Sequence, residues 1–182
     1  MRKLIALFLV GILLIGCTGC HGVKETNIAN ATAPSFDVPA NFDTEGTYEI
    51  TFWAKNDNNA TQISIYKQAI ADFQALYPNI TVKLKLYSDY GLIYNDVITN
   101  IATDTTPNVC ITYPDHIATY LSGADTVVPL NDLMEDAKYG FGGSELRYDG
   151  PAQEELVSQF LEECSFSGYY YAMPYMRSTE AC

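Results

Sequence analysis

Three groupings of an aromatic residue with nearby polar side chains recur along the chain: Trp53 with Asn56 and Asp57, Tyr87 with Ser88, Asp89 and Tyr90, and Tyr113 with Asp115 and His116. A ring packs against apolar C–H faces, and a carboxylate accepts hydrogen bonds from hydroxyls. Each grouping therefore suits a polyhydroxylated ligand such as a sugar. In a half-dry cleft such bonds discriminate well between hydroxyl patterns. The acids have a second role open to them, because Asp89 and Asp115 each precede a helical pattern and have the spacing of caps. Aromatic rings also pack under loops. Trp53, the one tryptophan, is the strongest ligand candidate among them.

These groupings matter because of what carries them. Residues 47–53 alternate and are β-rich, which predicts a strand. Ile63, Tyr66, Ile70, Phe73 and Tyr77 fall at steps of three and four, the inward face of a helix that Pro78 closes. Ile80, Val82, Leu84 and Leu86 alternate with Thr81, Lys83 and Lys85 as a second strand. Residues 91–103 form a helical pattern with Ile93, Val97, Ile98 and Ile101 inward, and residues 108–112 read as a short strand introduced by Pro107. Short helices are predicted over 117–121 and 151–163, the latter with proline in its first turn. A turn over 165–168 then leads into a strand-like run over 169–173. The order β-α-β-α-β predicts an α/β fold, a parallel sheet covered by helices with right-handed crossovers. Ligands of such sheets collect at the carboxyl ends of the strands, where all three groupings stand.

The beginning of the chain is of a different kind. Arg2 and Lys3 precede an apolar run over 4–15, too short for a comfortable membrane span but suited to an export signal. Leu14-Ile15-Gly16-Cys17 resembles the lipobox of bacterial lipoproteins. That resemblance implies cleavage before Cys17, a lipid on Cys17, and a protein anchored to the cell membrane outside the cytoplasm. Cys17-Thr-Gly-Cys20-His21 also matches the C-x-x-C-H of haem attachment, but it abuts the signal and lies outside any folded pattern. Residues 1–16 are thus read as signal peptide, 17–46 as a flexible tether, and 47–182 as the folded part.

Composition narrows the function classes. Hydrophobic residues make up 48% of the chain, enough for a core. The formal charge of −12, or −14 once Arg2 and Lys3 are removed, argues against nucleic acid and against anionic lipid bound through a basic patch. Cys20, Cys110, Cys164 and Cys182 are too widely spaced for a disulfide scaffold. Cys110 reads as a small core residue, and a Cys110–Cys164 bridge stays open. No metal-ligand spacing and no cofactor motif stand out otherwise.

Ile50-Thr-Phe-Trp53, Tyr66 to Pro78, Ile80-Thr-Val-Lys83, Thr106-Pro-Asn-Val109, Tyr113-Pro-Asp-His116, and Gly168-Tyr-Tyr-Tyr-Ala-Met-Pro-Tyr175 with Ser178-Thr-Glu180 occur in that order. Together they resemble the family 1 extracellular solute-binding proteins of ABC importers, the sugar-binding type. The resemblance implies a periplasmic-binding-protein-like fold of type II. It also implies a sugar or oligosaccharide held without catalysis in a cleft between two lobes and delivered to permease subunits in the membrane. It places Tyr171, Met173 and Tyr175 in that cleft, and it implies a monomer when full length. Family members are more than twice as long, so the chain reads as an N-terminal lobe truncated at the interlobe crossing. Marginal stability and self-association through the exposed edge are expected of it. Other readings are an adhesive or structural surface lipoprotein using its tyrosines as a contact patch, a non-functional truncated fragment, and a glycosidase using Asp57 with Asp115. The chain has no Gly-rich phosphate loop, no Ser/His/Asp order and no Cys/His pair at catalytic spacing, which favours binding over turnover.

Overall fold

The sheet is parallel, with strand order β2-β1-β3. It is seen in a computed structural model that describes residues 36–56, 60–123 and 125–176. The elements are β1 (Tyr48–Lys55), α1 (Ala60–Leu76), β2 (Ile80–Tyr87), α2 (Tyr90–Ile101), β3 (Val109–Cys110), α3 (Pro114–Tyr120), α4 (Asn131–Glu135), a 3-10 turn (Gln153–Glu155), α5 (Ser158–Glu162), and a hairpin of β4 (Ser165–Phe166) with β5 (Tyr169–Tyr170). The α/β order read from the sequence is therefore the order of the fold. The signal peptide, Cys17, Cys20, Asp57, Ser178-Thr-Glu180 and Cys182 lie outside the described residues.

β1 and β2 pair along their whole length, from Tyr48 opposite Ile80 to Lys55 opposite Tyr87. β3 pairs only through Val109 and Cys110, although the Ile111 N–H reaches the Trp53 carbonyl at 2.9 Å. A side-chain clamp extends this short ladder backwards. Asn108 Oδ1 accepts from the Thr51 N–H at 2.8 Å, and the Asn108 N–H donates to Thr51 Oγ1 at 3.0 Å.

Successive side chains of a strand point to opposite faces, so neighbours in β1 report which helix covers which face. Phe52 meets Tyr66 of α1 edge-on, with ring centroids 5.8 Å apart. Trp53 belongs to the core on the other face, with Tyr87, Ile93 and Val97 of β2 and α2 and Tyr120 of α3. That core fills only the carboxyl half of its face. Toward the amino end the same face carries Glu49 and Lys83, an exposed ion pair at 3.5 Å.

Three elements differ from the sequence reading. The helix expected over 151–163 is split, because Leu156 and Val157 are extended between the 3-10 turn and α5. The Glu155 carboxylate accepts from the Ala152 N–H at 2.8 Å and closes the first piece on itself. The strand expected over 169–173 ends at Tyr170 and pairs with β4, outside the main sheet. Ser167 (φ 52°) and Gly168 (φ 85°) both take positive φ, the requirement of the two-residue hairpin turn whose twist matches its strands. α4 has five residues, too few to show a helical period. Its Leu130–Asn131 start is fastened to the hairpin by Leu130 N–H to the Tyr170 carbonyl at 2.7 Å and Tyr170 N–H to Asn131 Oδ1 at 2.9 Å.

Residues 40–46, assigned to the tether by composition, run along the amino end of the sheet. The Phe42 ring lies 5.1 Å from that of Tyr139 and 6.1 Å from that of Tyr77. Lys138 Nζ donates to the Ala40 carbonyl at 2.6 Å, and Asn79 Nδ2 donates to the carbonyls of Asp43 and Gly46, each at 3.1 Å. Cys110 and Cys164 are not bridged to each other, and Cys164 Sγ donates to the Phe160 carbonyl at 3.4 Å.

Candidate ligand-binding site at the carboxyl end of the sheet

The chain leaves β1 for β2 on one side and then crosses back to β3 on the other. The crevice between the carboxyl ends of β1 and β3 is thus the switch point where open α/β sheets place ligands. Lys55 and Asn56 end β1 there, Tyr113 follows β3, and Tyr90 opens α2. The rings of Tyr90 and Tyr113 lie 4.6 Å apart, tilted by 52°. His116 sits 5.4 Å from Tyr113 and 4.3 Å from Tyr94, and its Nδ1 is 3.3 Å from Thr112 Oγ1. Lys55 Nζ stands 5.1 Å from the centre of the Tyr90 ring, within cation–π range.

A second set of phenols adjoins this one. The Tyr175 hydroxyl donates to that of Tyr66 at 3.3 Å. Burial raises the pKa of Tyr66, and the Tyr175 hydroxyl raises it further. Burial likewise raises that of Tyr90, with the hydroxyls of Tyr113 and Tyr175 adding to the effect. Tyr66 and Tyr90 therefore stay protonated at neutral pH, and each can both donate and accept hydrogen bonds. Tyr113 (49% exposed) and Tyr175 (55%) hold the outer positions, while Tyr66 (5%) is the floor. The arrangement is a rim of rings with converging hydroxyls, able to pack against an apolar face while bonding its edges.

The residues singled out by sequence divide sharply. Trp53 and Tyr87 are 7% and 8% exposed and face each other in the core, with ring centroids 5.4 Å apart. Tyr87 donates to Asp96 Oδ2 at 2.8 Å, and Lys85 Nζ covers both rings, at 4.5 and 4.6 Å. Neither ring opens into the crevice. Asp89 caps α2, accepting from the Leu92 N–H at 2.9 Å, and Asp115 is exposed in the first turn of α3. Asn56 is half-buried and donates its N–H to the Tyr87 carbonyl at 2.7 Å. Tyr113 stands at the rim. Tyr171 is half-buried beside Tyr169, and Met173 and Tyr175 are exposed.

Lys55, Tyr66 and Tyr94 join the site without having been singled out for it. The helical phase of Tyr66 marked it as inward, and it is inward. It lies nearly two turns into a helix that begins at the sheet's carboxyl end, so the inward face there is also the floor of the crevice.

The chain is similar to a solved structure, the extracellular solute-binding protein family 1 from Alicyclobacillus acidocaldarius subsp. acidocaldarius DSM 446, at 15% identity and a TM-score of 0.51. The likeness covers 70% of this chain and 28% of that one. No protein-family model matches the chain, and no curated protein does. The likeness shows a shared fold: the β-α-β-α-β arrangement of this chain matches part of that structure.

Proposed function

We propose that this chain is the substrate-binding component of an ABC importer, and that it holds a sugar or oligosaccharide at the switch-point crevice without chemical turnover. The observation that carries the reading is the rim of half-exposed tyrosines where the fold places a ligand. Tyr90, Tyr113 and Tyr175 pack against the C–H faces of the sugar, and Asn56, Asp57, Asp89, Asp115, Tyr171 and Met173 surround its hydroxyls. Trp53 and Tyr87 act from beneath by holding α2 and therefore Tyr90. Cys17 carries the lipid anchor, the protein works outside the cytoplasm at the membrane surface, and the permease subunits receive the ligand there. The likeness to an extracellular solute-binding protein, the strand-end groupings and the lipobox all support this reading.

Titration of the mature chain with maltotriose, cellotriose and xylotriose tests it. A saturable change in the fluorescence of Trp53, with the sugar recovered intact, is the expected result. Hydrolysed sugar, or saturation by a metal ion or peptide in place of any sugar, would sink it. For the anchor, mass spectrometry of the membrane fraction should find a lipidated Cys17 at the mature amino terminus. A Cys17→Ser variant that stays membrane-bound rules that part out.

A further inference from the structure

Tyr113 holds an outer position of the rim, 49% exposed, and it stands on no regular element, between β3 and α3. Two rings flank its own: Tyr90 at 4.6 Å and His116 at 5.4 Å. The start of α3 brings His116 there, three residues on, with its N–H donating to the Tyr113 carbonyl at 3.1 Å. The His116 and Tyr113 rings meet at 77°, the edge-to-face arrangement that aromatic pairs favour. His116 is itself fastened at two points. Its ring lies 4.3 Å from that of Tyr94, which packs on the core. Its Nδ1 is 3.3 Å from Thr112 Oγ1, which in turn is 3.1 Å from the hydroxyl of buried Tyr120. The half-buried imidazole thus joins a fixed core layer to a half-exposed ring of the rim. A ring held in its bound orientation before the ligand arrives loses less freedom on binding, and affinity gains by that amount.

We infer that His116 is a positioning residue: it holds Tyr113 in the orientation that receives the sugar, and it acts on the ligand only through that ring. The inference rests on the sugar-site reading above.

The test is a set of titrations of the mature chain with whichever trisaccharide among maltotriose, cellotriose and xylotriose saturates the parent. His116→Ala should raise Kd about threefold to tenfold, the worth of one aromatic pair. His116→Phe keeps a ring between Tyr94 and Tyr113 and should recover most of that affinity. In a Tyr113→Ala background, His116→Ala should change Kd by less than about twofold, because the ring it holds is gone. His116→Asn puts an amide in place of Nδ1 beside Thr112 Oγ1 but lacks the ring. It should weaken binding as the alanine variant does, and it stands in for that variant should the alanine chain fail to fold. An unchanged Kd in either ring-deleting variant, or no recovery in His116→Phe, overturns the role of His116 and leaves the sugar site standing. A full effect of His116→Ala on top of Tyr113→Ala also overturns it, since His116 would then act on the ligand without Tyr113. If the parent binds none of the three trisaccharides, the sugar-site reading fails and the role of His116 fails with it.

Discussion

The two ends of the sheet are built from the same residue types and treated in opposite ways. At the amino end, Tyr77 is 9% exposed, with Phe42, Phe73 and Arg147 against its ring at 5.0–6.1 Å. Arg147 also donates to the Leu76 carbonyl at 2.6 Å, tying a distant loop across the end of α1. At the carboxyl end, Tyr113 and Tyr175 leave half of their surface to solvent, and the Tyr175 hydroxyl meets that of Tyr66. Among the described residues, the chain covers one end with its own aromatic rings and leaves two tyrosines of the other half exposed. Tyrosine serves both purposes because its ring seals a core and its hydroxyl meets water or a ligand. Whether a given tyrosine is structural or functional depends on what the chain lays over it.

That contrast breaks first under Tyr77→Ala. Removing the ring should cost about 3–5 kcal/mol of stability, as other large aromatic truncations do, and leave sugar affinity unchanged. Urea unfolding followed by titration of the folded variant checks both halves. A loss below about 1 kcal/mol would mean that the amino end is not a packed closure.

Alkali probes the layer beneath the open rim. Burial pushes the Tyr120 hydroxyl up to about 12 from 10.0 and the half-buried Cys110 thiol up to about 11 from 9.0. Both folded-state values lie above the unfolded ones, so the folded chain holds its protons longer. The associated stability is complete below pH 9 and disappears as pH rises through about 11 and 12. Melting temperature should fall across that window, and fall less in a Tyr120→Phe variant. A Tyr120→Phe variant with the same alkaline profile as the parent would show that Tyr120 is not enclosed.

Tyr113→Ala should do the opposite of Tyr77→Ala. Stability should change by less than about 1 kcal/mol, since the ring is already half exposed, while sugar binding weakens by about 1–3 kcal/mol. Equal losses of both would erase the distinction between the ends. Asp89→Ala should cost about 1 kcal/mol through loss of the α2 cap. If its affinity loss exceeds what the Tyr113 variant shows, Asp89 touches ligand as well as capping. Lys83→Gln, at the exposed ion pair with Glu49, should shift unfolding by no more than about 0.5 kcal/mol and binding not at all.

Much of the fold was legible because it rests on local periodicities. Alternation in 80–86 and the three-four spacing from Ile63 to Tyr77 each correspond to an observed element, and their order along the chain implied a parallel sheet. The split of the 151–163 helix and the transfer of the last strand to a hairpin were not legible, because each is decided by a partner far away in sequence. Leu130 and Asn131 bind Tyr170 across about forty residues, and no local pattern encodes that bond.

The candidate site shows the same division. Sequence alone determined which side chains stand near the carboxyl ends of the strands, since the end of a parallel strand follows from the strand pattern itself. It also determined that aromatic residues and acids would be found there. Only the tertiary structure decided which rings are free. Trp53 and Tyr113 each read as the end of a strand, but β1 runs on to Lys55 and α2 and α3 cover Trp53, while Tyr113 lies beyond β3, just before the first turn of α3, and is half exposed. A strand's phase says which face a side chain takes. Whether that face is roofed depends on the crossing of two helices whose contacts are nonlocal, and those contacts exist only in the folded chain.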